Sequence, residues 1–114
     1  MDPEEILQIT STSDDQNPGW IQVNLAGKLS SDAAKWFRSE INRLLISGYR
    51  EIDLDLSSLQ YIDSFGLAEL VPAYLGACEK KGTLRIINPR RLIRHILVSA
   101  HLDDVIEIGP AQEK

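Results

Sequence analysis

The chain has 114 residues, of which 43% are hydrophobic and 25% charged, and its formal net charge is −5. That length suits one domain, expected to span residues 1–114 with a core over about residues 5–108 and a tail at 109–114. The acidic balance argues against nucleic-acid recognition through a positive surface, and the single cysteine, Cys78, excludes an internal disulfide and a cysteine metal cluster.

The N-terminus, Met1–Asp2–Pro3–Glu4–Glu5, is acidic and has no apolar run behind it, so it does not read as a signal peptide. No window approaches the roughly 18 apolar residues of a membrane span. A cytoplasmic protein without direct membrane insertion is the expectation.

Residues 5–10 predict a short strand, with Leu7 and Ile9 on one face. Residues 11–19 are rich in Ser, Thr, Asp, Asn, Pro and Gly and predict a loop, with Asn17–Pro18–Gly19 as its turn. Residues 20–26 alternate, with Ile21, Val23 and Leu25 inward, which completes an opening hairpin. Ser30 or Ser31 can cap a helix running to about Ser47. Ala34, Phe37, Ile41, Leu44, Leu45 and Gly48 fall on one stripe of it. Trp36 lies off that stripe, either packed on the helix flank or exposed as an interface anchor.

Ile52, Leu54 and Leu56 alternate with Glu51, Asp53 and Asp55, a strand over residues 51–56 whose carboxylates are expected to be solvated. A loop then leads to a helix with Leu67, Leu70, Val71, Tyr74, Leu75 and Cys78 as its buried face. Cys78 is accordingly expected to be a core residue. Pro72 should kink this helix near Ala68, Gly76 weakens it, and Lys80–Lys81–Gly82 ends it. Residues 84–87 predict a strand. Asn88 is expected to be an N-cap and Pro89 the first helical position of a helix with Leu92, Ile93, Ile96, Leu97 and Ala100 inward. Arg90, Arg91 and Arg94 project elsewhere, and residues 105–108 predict a last strand. Strands alternating with helices imply an α/β fold with parallel neighbours. The polar–apolar alternation of the middle strands places the helices mainly on one sheet face.

Catalytic and cofactor motifs are missing. There is no Gly-rich phosphate loop, His95 and His101 would not share a helix face for a metal, and Asp63–Ser64–Phe65–Gly66 is not a Gly-x-Ser-x-Gly elbow. The chain therefore reads as a non-enzyme without cofactors or metal. At the junction of the central strand with the next helix sits Asp63–Ser64, between Ile62 and Phe65. The Ser64 oxygen has two uses there: to cap the helix, or to face outward and be modified.

Leu54–Asp55–Leu56 followed by Tyr61–Ile62–Asp63–Ser64–Phe65–Gly66–Leu67 resembles the signature of STAS domains of the bacterial anti-sigma factor antagonist type. Gly27, Gly82 and the Ile93, Leu102 and Ile106 ending extend the resemblance over nearly the whole chain. The resemblance implies a four-helix, mixed-sheet α/β domain. It also implies that Ser64 is phosphorylated by a partner of the histidine-kinase-like ATPase type that doubles as an anti-sigma factor. The unphosphorylated form would bind that partner and free the sigma factor, and the phosphorylated form would not. Tyr61, Asp63, Ser64, Phe65, Gly66 and Leu67 would form the docking surface. Phe65 stands where the family usually carries a small residue; a bulky residue there resembles some scaffold-type members, which build stress-sensing assemblies, and Pro72 is atypical too. Other relatives are accessory subunits bound to the ATPase of a lipid transporter. A homodimer is left open.

Overall fold

The computed structural model describes residues 2–112. Its elements are α1 (Pro3–Ile6), β1 (Leu7–Asp14), β2 (Asn17–Leu29), α2 (Ala34–Ile46), β3 (Glu51–Ile62), α3 (Ser64–Glu79), β4 (Thr83–Ile87) and α4 (Arg91–Ser99), followed by a 3-10 turn over Leu102–Asp104. The four strands form one sheet in the order β1-β2-β3-β4. β1 and β2 are antiparallel, while β2–β3 and β3–β4 are parallel. This is the α/β mixed sheet that the alternation of strands and helices implies. Phe37 and Ile41 from α2, Leu70 and Ala77 from α3, and Ile93 and Leu97 from α4 pack with Val23, Leu54 and Ile86 of the strands in one core. Thr10, Gln22, Asn24, Asp53, Asp55 and Arg85 alternate with the core residues and so line the opposite face.

The hairpin is longer than its composition suggests. β1 runs on through the exposed Ser11–Thr12–Ser13–Asp14 segment, whose backbone pairs with residues 17–23. A ladder needs only main-chain donors and acceptors, so polar side chains facing water on both sides do not stop it. The turn is Asp15–Gln16, where the Gln16 N–H donates to Asp14 Oδ1 at 2.9 Å. Pro3 starts a short helical turn, α1, where the sequence suggests strand from residue 5.

β3 also exceeds its expected end at Leu56. Its pairing with β2 slips between Asn24 and Ala26 and again between Gly27 and Lys28. Each slip inserts an extra β3 residue and flips the alternation. Leu59 and Ile62 therefore point inward after Leu54 and Leu56, and the broken period mimics a loop.

The α3 face is rotated from the expected one. Gly66, Glu69, Leu70, Ala73 and Ala77 are buried, Leu67, Val71 and Tyr74 are half-buried, and Leu75 and Cys78 are exposed. Small residues face α2 because the two helices lie close: a side chain at Gly76 would meet Leu45 Cδ1 at 3.3 Å. Cys78 is thus no core residue. The helix continues through Pro72, which lies on the exposed side. At its end the left-handed residue is Lys81, φ 64°, rather than Gly82. Gly82 is required for another reason, since a Cβ there would lie 2.0 Å from the Arg50 carbonyl oxygen.

Further boundaries shift. Neither Ser30 nor Ser31 caps α2: its N-cap is Ala33, with no side-chain hydrogen bond. Asn88 is left-handed, φ 53°, and Arg90, not Asn88, precedes the first residue of α4. Leu92 is 66% exposed, outside the apolar stripe expected of it, and Ala100 lies beyond the helix and is exposed. The last strand reduces to one parallel bridge between Ile86 and Ile108. Trp36 packs on the flank of the core with its Nε1 buried and unpaired.

Asp53 and Asp55 are buried, not solvated. Arg85 Nε and Nη2 donate to the two Asp53 oxygens at 2.9 Å each, and Trp20 Nε1 donates to Oδ2 at 2.9 Å. Burial pushes the Asp53 carboxyl up, but the hydrogen bonds from Arg85 and Trp20, with the Arg85 charge, outweigh it and hold the group below its usual range. Asp55 accepts from the Ser57 N–H at 2.8 Å and the Asn88 amide at 3.2 Å. A face that is polar in sequence is thereby closed by its own hydrogen bonds.

Candidate functional site

β3 ends at Ile62 and α3 begins at Ser64, so Asp63 alone makes the junction. Its backbone is extended, φ −109° and ψ −176°, as an N-cap requires. Oδ1 accepts from the Gly66 N–H at 2.9 Å, and the Asp63 carbonyl accepts from the Leu67 N–H at 2.9 Å. Oδ2 accepts from the Ser31 N–H at 3.1 Å, and the Asp63 N–H donates to the Leu29 carbonyl at 3.3 Å. One aspartate thus fastens the start of α3 to the β2–α2 connection. A carboxylate also suits the positive end of the helix dipole.

This removes one of the two uses open to Ser64. Asp63 is the cap. Ser64 is the first helical residue, is exposed, and is left over for contact with solvent or a partner. On either side of it Tyr61 is 48% and Phe65 62% exposed. The junction thus presents a hydroxyl flanked in sequence by two exposed aromatic rings, which offer apolar area at low entropic cost.

The remaining residues expected at this surface lie deeper. Gly66 is buried, and a Cβ on it would fall 2.0 Å from the Leu29 carbonyl oxygen. Leu67 is half-buried against the core. These two seat the helix; Tyr61, Ser64 and Phe65 face outward. Ser31 joins the site through its N–H, a contact between residues distant in the chain that only the fold brings together.

One turn further along α3, Glu69 is buried and pairs with Arg38 of α2, whose Nε donates to Glu69 Oε1 at 2.9 Å and whose Nη2 donates to Oε2. The hydrogen bond and the charge of Glu69 push the Arg38 guanidinium further above its ordinary value. The pair fixes α3 against α2 and so fixes the platform that presents Ser64. Among the described residues there is no group of three or more side chains able to hold a metal, and no helix long and apolar enough to cross a membrane.

A family model described as "Mlab, STAS domain" matches residues 12–108. Comparison with curated proteins returns no match. Among solved structures, an anti-sigma factor antagonist from Mycobacterium paratuberculosis is similar with TM-score 0.79 and 19% identity, covering 92% of this chain and 86% of that one. The antagonist SpoIIAA is similar in its unphosphorylated form, with TM-score 0.74, 16% identity and coverage of 90% and 88%. Its phosphorylated form, from Bacillus, is similar with TM-score 0.67, 16% identity and coverage of 90% and 91%. The murine anion transporter Slc26a9 contains a similar region, with TM-score 0.71 and 13% identity over 93% of this chain but only 21% of the transporter.

Proposed function

The chain belongs to the STAS domain family, and from that premise we propose that it is a regulatory protein-binding module of the anti-sigma factor antagonist type, switched by phosphorylation of Ser64. The observation that carries this reading is the division of labour at the junction: Asp63 does the capping, and Ser64 stands exposed between Tyr61 and Phe65. The partner is a serine kinase of the histidine-kinase-like ATPase type that also holds a sigma factor. Unphosphorylated protein binds it in the bacterial cytosol and releases the sigma factor for transcription. Tyr61, Ser64 and Phe65 make the contact, while Asp63, Gly66 and Leu67 hold their geometry. The domain itself is a ligand and substrate of the kinase, not a catalyst, and needs no cofactor.

The physics of the switch is local. A phosphate adds about −1.5 to −2 charges and strong acceptor oxygens. At the first residue of a helix these meet the dipole's positive end, so the fold tolerates them. A partner docked over the ring pair would have to desolvate that charge, and binding fails. The similarity of both phosphorylated and unphosphorylated SpoIIAA to this fold supports a switch without refolding. The test is peptide mass spectrometry on the protein isolated from its native cell, and on protein incubated with that cell's lysate and ATP. Phosphate on Ser64 is expected. Its absence in both samples overturns the switch.

A second reading is prompted by the similar region within the anion transporter Slc26a9, where this fold is part of a transport protein. In it the domain is an accessory subunit on the ATPase of a lipid transporter, and Ser64 serves as a contact without being modified. That reading predicts binding to a transporter ATPase that is indifferent to charge at Ser64.

A further inference from the structure

Besides the Ser64 junction, the molecule has a groove of about 510 Å³ that no role above uses. It lies where the two bulges of β3 distort the sheet. Its lining runs across the strands, from Glu5 and Gln8 beside β1, over Ala26, Gly27 and Lys28 of β2, to Ser58 and Gln60 of β3 and Arg90 after β4. In an open α/β sheet the carboxyl ends of parallel strands are the usual place for a ligand, and residues 26–28, 58–60 and 90 all belong to those ends. The volume is that of a small-molecule site.

The groove is built with free polar groups. The bulges bring Ser58 and Gln60 to the exposed side on one strand. Arg90 Nε donates to the Ser57 carbonyl at 3.1 Å, which pins the guanidinium at one end and leaves its Nη groups for a ligand. Gln8 donates Nε2 to the Glu4 carbonyl at 2.8 Å, which leaves its Oε1 as an acceptor. Arg38, Arg43 and Arg85 are matched to carboxylates, whereas Lys28 and Arg90 form no ion pair among the described residues. Cationic donors therefore hold the middle and far end, and a carboxylate and an amide oxygen hold the near end. Neighbouring strands lie about 4.8 Å apart, so these ends are separated by on the order of 14 Å between backbones, less the reach of the side chains.

We propose that this groove binds a small zwitterion of amino-acid to dipeptide size. Its oxyanion, carboxylate or phosphoryl, lies on Arg90 and Lys28, and its ammonium or amide donor lies on Glu5 and Gln8. Ser58 and Gln60 satisfy the polar groups between.

The test is a titration of ¹⁵N-labelled full-length protein, followed by amide shifts, with the dipeptide Gly-Glu, with O-phosphoserine and with neutral succinamide. Saturable shifts are expected at the amides of Gly27, Lys28, Ser58 and Gln60 with at least one zwitterion and not with succinamide. Which zwitterion acts assigns the oxyanion. Lys28→Gln should weaken binding about fivefold or more, as the loss of one partly solvated charge contact does. Arg90→Gln should weaken it at least as much. Lys28 is exposed, so its variant keeps the test in hand if Arg90→Gln disturbs the Ser57 contact. The proposal is overturned by unshifted groove amides at about 20 mM of every probe, an affinity too weak to matter. Equal binding of succinamide, or undiminished binding to Lys28→Gln, overturns it too.

Discussion

Replacing Asp63 by alanine, and separately Ser64 by alanine, separates the two roles at the junction. Asp63→Ala removes the acceptor for the Gly66 N–H at 2.9 Å and for the Ser31 N–H at 3.1 Å. An N-cap to alanine change costs about 1 kcal/mol. The second hydrogen bond and the lost charge at the helix start add roughly 1 kcal/mol more, because water can reach the exposed Ser31 segment. The sum is about 2 kcal/mol, or a drop in Tm of roughly 8 °C for a domain of this size. Ser64→Ala touches an exposed first-turn residue that does not cap, and should stay within about 0.5 kcal/mol. Urea titration followed by circular dichroism measures both. Equal losses in the two variants, or a larger loss for Ser64→Ala, would refute the assignment of the cap to Asp63 and return Ser64 to a structural role.

Other outcomes follow from the same structure. Gly66→Ala should cost about 3 kcal/mol, since its Cβ would lie 2.0 Å from a backbone oxygen that cannot give easily, and the loss reads directly in a thermal melt. Arg38→Ala should destabilise by more than Glu69→Gln does, because it leaves the buried carboxylate unpaired; a double-mutant cycle in urea checks the order. Asp53 has a carboxyl held below its unfolded value, so its contribution to stability is fully present above about pH 4 and is lost as pH falls from there through the folded value. Asp53→Asn should flatten that acid limb of the stability–pH curve, and an unchanged limb would contradict the Arg85 pairing. Trp36→Phe removes a buried unpaired N–H, so no hydrogen bond is lost with the smaller ring, and a thermal melt should show stability within about 1 kcal/mol of wild type.

The sequence displays what depends on local period and hides what depends on pairing. The α2 stripe from Ala34 to Leu45 and the Ile52, Leu54 and Leu56 alternation are read directly, because each repeats a simple geometry. The continuation of β3 to Ile62 is hidden, because two bulges break the period that identifies a strand. The length of β1 is hidden because a polar edge hairpin is held by its backbone alone. On α3 an apolar composition all round leaves no unique face, so the choice of Ala73 and Ala77 over Tyr74 and Cys78 was made by how closely α2 approaches. The burial of Asp53 needed Arg85 from β4 and Trp20 from β2, partners far away in the chain.

At the site, Asp63–Ser64 and the flanking rings are visible in the sequence as a polar pair at a strand–helix boundary. Which of the two oxygens caps is not visible there. Asp and Ser cap about equally well, and the decision rests on where β3 ends. The Ser31 contact is out of reach of any local pattern, since it depends on β2 and β3 lying side by side.

The central claim is a partner-binding surface governed by charge at Ser64. Its most direct test is a pull-down from the native cell's lysate with wild-type protein and with Ser64→Asp, the bound proteins being identified by mass spectrometry. The account predicts a kinase-like ATPase held by wild type and lost from Ser64→Asp. A transporter ATPase held equally by both would contradict the switch and establish the accessory-subunit reading in its place.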